Sequence, residues 1–467
     1  MLFNSYVFLF GFLPPVLAGW WGLTRWRQLR LAFLTSASWL FYAWWDWRYL
    51  PVLIGATSID YVAGAWIAAS ENETRRRLLL AASLTTNLGI LAYFKFAGFF
   101  FGSLDGIGSA LGFGAPLPAL HILLPIGISF YTFNSMSYTI DIFRRRIEST
   151  PNPLEYTTFV ALFPHLIAGP IVRFSDLGPQ LRRLTPRLTS DTAARGVFFL
   201  SCGLVKKLLV ADQLSPYVAR LYTAHAHLGL ASAWAAAIGY SLQLYFDFSG
   251  YSDMAVGLAW LLGFRFPQNF NSPFKAVNIS DFWRRWNMSL SSWFRDYLFI
   301  PLGGSQRGTR RTVLNLMLTM FLVGLWHGAA WTFVVWGLVH GVFLGGHALL
   351  RTAGRTPTSA AVNRLVTFLC VCAAFVIFRS PSLPAAGDVL SSMFGLNGLD
   401  TSRELALLVP ARFALLIAAL LVFVNVAPNT WQITLKPRAW QGVAAGVAAA
   451  IAVMTIAQPH PFLYFQF

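Results

Sequence analysis

The most regular feature of the chain is a succession of long apolar stretches separated by short polar segments. The clearest cover residues 6–23, 31–45, 78–102, 121–143, 313–350 and 412–426. A helix needs about 20 consecutive apolar residues to cross a bilayer, and the longest stretches have room for two crossings. The pattern predicts an all-α polytopic membrane protein with about eleven to twelve transmembrane helices. We expect residues 1–467 to form one integral membrane domain.

One apolar segment, residues 156–171, is too short for a full crossing and contains two prolines. Pro164 and Pro170 flank His165 within it, and proline interrupts the hydrogen bonding of a helix. Irregular backbone is tolerated at membrane depth only where protein or water covers it. The segment is therefore predicted to be broken or re-entrant.

The longest polar interruption, residues 265–311, has a helical pattern of its own. Residues 279–298 carry a stripe of apolar side chains at spacings of four and three, namely Phe282, Trp286, Leu290, Trp293 and Tyr297. Ser280 is a plausible N-cap, with Asp281 in the first turn. Arg284 and Arg295 fall on the opposite side. The segment is predicted to be an interfacial amphipathic helix, which either anchors at the lipid headgroups or forms a vestibule for an anionic donor.

Composition supports the membrane prediction, because only 11% of the residues are charged, against about 25% in ordinary soluble domains. The mean hydropathy is +0.57, yet the net charge is +17, from 35 basic and 18 acidic residues. Basic clusters flank the apolar stretches at residues 25–30, 75–77 and 144–146. Because such loops usually face the cytoplasm, we expect the N-terminus to lie outside and residues 6–23 to be a retained anchor. A charge spread over membrane-flanking loops argues against nucleic-acid binding.

The loop at residues 265–311 carries a disproportionate share of this positive charge. It holds eight basic residues (Arg265, Lys275, Arg284, Arg285, Arg295, Arg307, Arg310 and Arg311) and two acidic ones (Asp281 and Asp296). The positive-inside rule makes this loop cytoplasmic. Arginine binds phosphates through its forked guanidinium, so a phosphate-bearing donor is a reasonable ligand.

Ionisable residues within the apolar stretches are the main candidates for chemistry. Asp247 and Asp253 lie six residues apart, and we expect them to pair with nearby arginines rather than to act as an acid–base pair. His327 is ringed by small residues, and His340 follows thirteen positions later. Imidazole exchanges a proton near neutral pH, so His327 is either a catalytic base or a core histidine with a hydrogen-bond partner. The cysteine and histidine spacings predict no disulfide and no metal site.

Several motifs together resemble the membrane-bound O-acyltransferase family, in particular its bacterial branch that acetylates exopolysaccharides such as alginate. They lie at residues 1–6, 164–171, 245–253, 269–271, 282–286, 293–297, 325–328 and 462–467. The family's defining histidine matches His327, and its second signature position matches Asn287. That second position is often histidine in the polysaccharide branch, so the resemblance assigns proton transfer to His327 alone.

The resemblance implies a site and a reaction. A cytoplasmic thioester, acetyl-CoA, would be the acyl donor, with no permanently bound cofactor. Donor binding in a vestibule or tunnel is assigned to Arg284, Arg285, Trp286, Arg295, Trp326, Trp336 and His340. Asp247, Asp253 and Asp296 would be structural or cavity charges. Asn287, or a backbone N–H near Gly328, would stabilise the oxyanion.

The resemblance also implies a setting and leaves alternatives open. Members of this branch reside in the bacterial inner membrane and work with a periplasmic SGNH-type acetyltransferase and with polysaccharide synthesis and export proteins. One alternative is a transporter or flippase of a glycan precursor, which many spans and intramembrane charges would also fit. Another keeps the enzyme class but uses a longer acyl chain, or peptidoglycan, cellulose, another glycan or a lipid as acceptor.

Overall fold

The computed structural model describes residues 1–112, 122–185, 187–355, 359–434, 439–456 and 462–463. Within these ranges the chain is built of helices and contains no β-strand, which confirms the all-α prediction for the described residues. By length and hydropathy, four helical segments could cross a membrane: Arg27–Ala69, Glu73–Ala110, Trp331–Thr352 and Ala360–Arg379. A fifth is possible if Ser402–Leu408 and Ala411–Val426, which meet at 68°, form one span.

The described part of the chain thus has fewer such segments than the eleven to twelve transmembrane helices predicted. The first two segments are 43 and 38 residues long, enough for two crossings each. Other apolar stretches are divided among helices shorter than a full span. The apolar runs in the sequence do not reveal these interruptions, because buried and membrane-spanning helices share the same composition.

The chain divides into two compact units, and the prediction of one domain over residues 1–467 stays a prediction. Unit 1 comprises Met1–Leu200 and Met254–Pro267, and unit 2 comprises Ser201–Asp253 and Gln268–Phe467. The helices of unit 1 are α1 (Leu13–Gly22), α2 (Arg27–Asp46), α3 (Leu50–Ala69), α4 (Glu73–Leu91), α5 (Ala97–Ala110), α6 (Ile128–Phe143), α7 (Pro153–Ala161), α8 (Phe163–Leu166), α9 (Phe174–Arg182) and most of α10 (Ser190–Leu204).

Unit 2 contains the elements that form the candidate site. Its helices are α11 (Asp212–Thr223), most of α12 (Leu230–Leu261), α13 (Ile279–Trp283), α14 (Met288–Phe294), α15 (Gly308–His327), α16 (Trp331–Thr352), α17 (Ala360–Arg379), α18 (Leu383–Met393), α19 (Ser402–Leu408), α20 (Ala411–Val426) and α21 (Ala439–Met454). Unit 1 also has π-helical turns at Val7–Phe12 and Ala92–Phe96 and a 3₁₀ turn at Trp47–Tyr49. Unit 2 has π-helical turns at Val205–Ala211 and Arg295–Phe299, and 3₁₀ turns at His225–His227, Pro273–Lys275 and Thr430–Gln432.

Unit 1 has an unusually polar core around α6. Every residue from 128 to 142 is buried, and Thr139 accepts a hydrogen bond from Ser83. Asp60 on α3 accepts hydrogen bonds from the Ser83 hydroxyl at 2.6 Å and from the Asn87 amide at 2.8 and 2.9 Å. Buried polar groups must be hydrogen-bonded to be tolerated, so these contacts join α3, α4 and α6.

The segment at residues 156–171 is broken, as predicted. It forms α7 and the four-residue α8, which are separated at Leu162, and almost all of its residues are buried in unit 1. Asn152 caps α7 by accepting the Leu154 N–H at 3.0 Å. The short helices therefore arise where Pro153 can start a helix and Pro164 can start another.

The long amphipathic helix predicted for residues 279–298 is interrupted, which corrects that prediction. Helix α13 ends at Trp283, and α14 begins at Met288 after Asn287 adopts a left-handed conformation (φ 43°, ψ 55°). The N-cap of α13 is Asn278, whose side chain accepts the Asp281 N–H at 2.8 Å, rather than Ser280. Local periodicity does not reveal a break that is held by distant contacts.

The five residues of the predicted stripe are nevertheless all buried in unit 2. Phe282 stacks on Trp286 with ring centroids 5.5 Å apart, and Trp286 packs on Phe375 at 5.2 Å. The stripe therefore belongs to the protein core and does not act as a headgroup anchor.

Helices α15 and α16 form the closest helix pair of unit 2, and glycines lie along their contact. A Cβ atom on Gly324 would overlap the carbonyl oxygen of Phe333, and one on Gly337 would overlap that of Met320. Small residues allow helix backbones to approach closely. This packing fixes the end of α15, where His327 lies, against the start of α16.

Candidate active site

His327 is the last residue of α15, and its side chain is buried among aromatic rings. Gly328 continues in extended backbone, and a Cβ atom there would overlap the ring of Phe333, so glycine is required by space. The imidazole lies 5.1 Å from the Trp336 ring, at 90°, and 5.3 Å from the Phe378 ring. The helix end and the aromatic contacts together fix the position of the imidazole.

A small cavity of about 20 Å³ adjoins this imidazole. Side chains from α12, α15, α16, α17 and the break between α13 and α14 line it: Leu244, Asp247, Phe248, Trp286, His327, Trp336, Phe375 and Phe378. A cavity of this size holds about one water molecule. It is therefore a narrow, mostly aromatic chamber with two ionisable groups.

Asp247, the second ionisable group, is held by groups from two other segments. Its Oδ1 is 2.6 Å from Lys207 Nζ, and its Oδ2 accepts the Leu463 N–H at 3.0 Å. Lys207 Nζ also lies 2.9 Å from Asp212 Oδ1 and 4.7 Å from the centre of the Phe462 ring. Residues 462–463 are the described part of the C-terminal motif; residues 464–467 lie outside the described residues.

Asp253 forms a separate pair and does not line the cavity. Lys206 Nζ is 2.6 Å from its Oδ2, which also accepts the Thr430 hydroxyl at 2.7 Å. Both aspartates pair with lysines and not with the arginines that we expected. The sequence contained a usable signal, because Lys206 and Lys207 interrupt an apolar stretch where lysine is costly.

The predicted donor-binding arginines lie away from the cavity. Arg285 Nε is 3.0 Å from Asp281 Oδ2, and Arg295 Nε is 2.7 Å from Asp296 Oδ1. Asp296 is therefore an ion-pair partner and not a cavity charge. Arg284 is exposed and has no carboxylate within ion-pair distance among the described residues. A role for these residues in donor binding stays a prediction.

Asn287 is buried beside Trp286 but does not line the cavity. The backbone around it is fixed by Asn269, whose carbonyl accepts the Met288 N–H at 2.9 Å and whose side chain accepts the Ser289 N–H at 3.1 Å. These bonds hold Asn287 in its left-handed conformation, which asparagine tolerates better than most residues. They also orient Trp286 towards the cavity.

His340 and Trp326 flank the cavity without lining it. Trp283 Nε1 donates to His340 Nδ1 at 3.3 Å, and the His340 ring lies 4.8 Å from the Trp336 ring. Trp326 is buried, with its ring 5.0 Å from that of His327. Both therefore support the wall that carries Trp336 and His327. The described residues contain no group of three or more metal-ligating side chains.

Phe375 and Phe378 complete the cavity, although nothing in the sequence singles them out. They lie on α17 within a continuous apolar run, where wall residues and lipid-facing residues have the same composition. Leu244 and Phe248 likewise line the cavity with Asp247 from α12, Leu244 about one turn before it and Phe248 directly after it.

Comparisons with known proteins identify the family of the chain. Residues 4–381 match the model of the membrane-bound O-acyltransferase family. The chain is 44% identical over 395 residues to a probable alginate O-acetylase AlgI of Azotobacter vinelandii, which covers 84% of this chain and 78% of that protein. It is also 44% identical over 407 residues to a probable alginate O-acetylase AlgI of Pseudomonas aeruginosa, which covers 86% of this chain and 76% of that protein. It is 37% identical over 431 residues to a peptidoglycan O-acetyltransferase of Helicobacter pylori, which covers 86% of this chain and 81% of that protein.

These matches cover most of each protein and decide between the enzyme and the transporter that the sequence alone left open. The family model includes all of α15 and α16, and therefore His327. The chain belongs to the membrane-bound O-acyltransferase family and is a multi-pass membrane O-acyltransferase.

Proposed function

We propose that the protein takes an acetyl group from cytoplasmic acetyl-CoA and passes it towards O-acetylation of an exopolysaccharide, with alginate or a similar glycan as acceptor. The observation that carries the proposal is the narrow aromatic chamber beside His327, in a chain that is 44% identical to probable alginate O-acetylases. We place the protein in the bacterial inner membrane, with its N-terminus on the extracytoplasmic side. The basic clusters at residues 25–30, 75–77 and 144–146 would then lie in cytoplasmic loops, as the positive-inside rule requires.

His327 is proposed as the general base. The acceptor hydroxyl is a weak nucleophile until a base removes its proton as it attacks. Of the two ionisable residues lining the chamber, Asp247 already accepts hydrogen bonds at both oxygens, from Lys207 and Leu463. Asp247 would have to give up one of these partners to receive a proton. The imidazole is therefore the better base.

Donor binding is proposed for the basic loop before α15. Arg284 is the best candidate for the phosphates of the donor, because it is exposed and has no carboxylate partner among the described residues. Arg285 and Arg295 would first have to exchange Asp281 and Asp296 for phosphate. The phosphate contact would hold the donor while its acetyl end enters the chamber between the aromatic walls.

In this proposal, transfer of the acetyl group to the glycan requires a partner protein. We expect a periplasmic SGNH-type acetyltransferase to place the acetyl group on the glycan, beside proteins that make and export the polysaccharide. Peptidoglycan is a second candidate acceptor, because the Helicobacter pylori relative is named a peptidoglycan O-acetyltransferase and shares 37% identity. Mass spectrometry of glycans and peptidoglycan from cells with and without the gene distinguishes the two, since only the true acceptor loses acetyl groups.

The catalytic assignment is tested on purified protein in detergent with acetyl-CoA labelled in the acetyl group. The wild type should release CoA and pass label to an acceptor, whereas His327→Gln should lose about 10²–10⁴-fold in rate, the usual effect of a general base. His347→Gln is the matched control, because His347 is a partly exposed histidine on α16 away from the chamber. Equal rates for the two variants would contradict the role of His327.

A further inference from the structure

Trp336 presents an unusual donor at the His327 chamber. Its side chain is 1% exposed and lines the cavity, and its indole N–H has no hydrogen-bond acceptor among the described residues. A buried donor without an acceptor costs about 1–3 kcal/mol. Buried tryptophans normally avoid that cost by finding an acceptor for the N–H.

Two other buried tryptophans, Trp20 and Trp283, follow the normal rule. Trp20 Nε1 donates to the carbonyl of Leu262 at 2.8 Å, and Trp283 Nε1 donates to His340 Nδ1 at 3.3 Å. Trp336 differs from them in that it faces a chamber built beside an ionisable imidazole. A group left without a partner at such a place is explained if its partner is the reacting molecule.

We propose that the Trp336 Nε1–H stabilises the oxyanion formed during acyl transfer, which makes Trp336 a further catalytic residue; this rests on the proposed function. The acceptor oxygen attacks the thioester carbonyl carbon as His327 takes the hydroxyl proton. The C=O π electrons move onto the carbonyl oxygen, which accepts a hydrogen bond from the indole. When the C=O bond re-forms, the C–S bond breaks, and the imidazolium returns the proton to the thiolate. An acetyl ester and a free thiol result.

The position of the indole suits this role. The imidazole and the indole are in edge-to-face contact, with ring centroids 5.1 Å apart, and both line the chamber, so a carbonyl group that enters the chamber lies close to the base and to the donor. The Trp336 ring is itself fixed by Phe378 at 5.0 Å and by His340 at 4.8 Å. A preorganised donor of this kind stabilises developing charge without having to reorient during the reaction.

The donors suggested by the sequence are less well placed. The Gly328 N–H donates to the Gly324 carbonyl at 3.3 Å, as the last bond of α15, so it is already used. The Asn287 amide lies beside Trp286 but does not line the chamber. Of the two tryptophans that line the chamber, Trp286 and Trp336, only Trp336 has a fully buried indole N–H without an acceptor among the described residues.

Two variants test the proposal. Trp336→Phe removes the N–H and keeps an aromatic ring, while incorporation of 3-benzothienylalanine at position 336 keeps both rings and replaces only N–H by sulfur. The isosteric variant should keep the wild-type melting temperature and KM for acetyl-CoA. Its kcat should fall about 10²–10³-fold, as when an oxyanion-hole donor is removed. Trp44→Phe, at an exposed position, is the control and should leave kcat unchanged.

The outcomes separate this proposal from the function on which it rests. If the wild type transfers no acetyl group from acetyl-CoA, both fail. If the wild type is active, His327→Gln is inactive and the isosteric variant retains full kcat, only the role of Trp336 is overturned. Should Trp336→Phe fail to fold, the isosteric variant still decides the question, because its shape is unchanged. A rise in KM at constant kcat would indicate a packing role and would also refute the proposal.

Discussion

The buried ion pairs around Lys207 allow a quantitative test of how the chamber is held together. Lys207 Nζ lies 2.6 Å from Asp247 and 2.9 Å from Asp212, and the three side chains are only 2%, 3% and 11% exposed. At an effective dielectric constant of about 20, each contact has a Coulomb energy of about 6 kcal/mol. The cost of desolvating three charges offsets much of that attraction.

Replacement of the lysine should be more damaging than this net balance suggests. Lys207→Met leaves two buried carboxylates without their cation, and breaking a buried pair costs about 3–5 kcal/mol of unfolding free energy. Asp247→Asn should cost less, about 1–3 kcal/mol, because Lys207 keeps Asp212 and the new amide oxygen can still accept the Leu463 N–H. The double variant should be more stable than the sum of the two losses predicts.

The measurement is reversible unfolding in mixed micelles, with SDS as denaturant, on the two single variants and the double variant. Arg195→Met is the matched control, because Arg195 pairs with Asp191 at 2.9 Å on the surface, where such a pair contributes about 0–1 kcal/mol. If Lys207→Met loses no more than Arg195→Met, the buried pairs do not stabilise this region and the prediction is wrong. Strict additivity in the double variant would likewise refute coupling between Lys207 and Asp247.

Two further predictions concern packing and pH. Gly337→Ala should destabilise the protein by about 1–3 kcal/mol and lower the acyl-transfer rate, because the new Cβ overlaps the Met320 carbonyl. Gly346→Ala is the control: its new Cβ meets open space on the same helix, so it should change neither the melting temperature nor the rate of CoA release. Burial opposes ionisation of Asp400, but the Ser232 hydroxyl and three backbone N–H groups at the start of α12 outweigh it and lower its pKa below the ordinary value. Asp400→Asn should therefore cost about 1 kcal/mol at pH 7, and the gap in melting temperature should close as the pH falls below about 4; a gap that is independent of pH would contradict this.

The helical class, the family and the central histidine could be predicted from the sequence, because each depends on local information. Apolar stretches identify helices whatever they pack against, and His327 stands out as an ionisable group between glycine and tryptophan in an apolar run. The buried stripe from Phe282 to Tyr297 was also evident from its spacing. The spacing does not show whether this stripe packs on protein or on lipid, since both kinds of face have the same pattern of apolar residues.

What could not be predicted depends on contacts between residues far apart in the chain. Asn287 is held in its left-handed conformation by bonds to Asn269, which is eighteen positions earlier, so a helical period through residues 279–298 gives no sign of the break. Trp336 could be nominated as a tryptophan near the histidine, but its lack of an acceptor among the described residues is a property of the folded chamber. The lysine partners of Asp247 and Asp253 are 40 and 47 residues away.

The spacing of those two pairs explains how neighbouring lysines contribute to the chamber. Six residues along α12 correspond to a rise of about 9 Å and a rotation of about 120° from one aspartate to the other. The π-helical turn Val205–Ala211 carries both lysines, and Lys206 reaches Asp253 while Lys207 reaches Asp247. Two bonds at different heights and angles resist both sliding and rotation of α12 against that turn. Because Leu244 and Phe248 line the chamber from the same stretch of α12 as Asp247, the lysines also fix the apolar wall that α12 presents to the chamber.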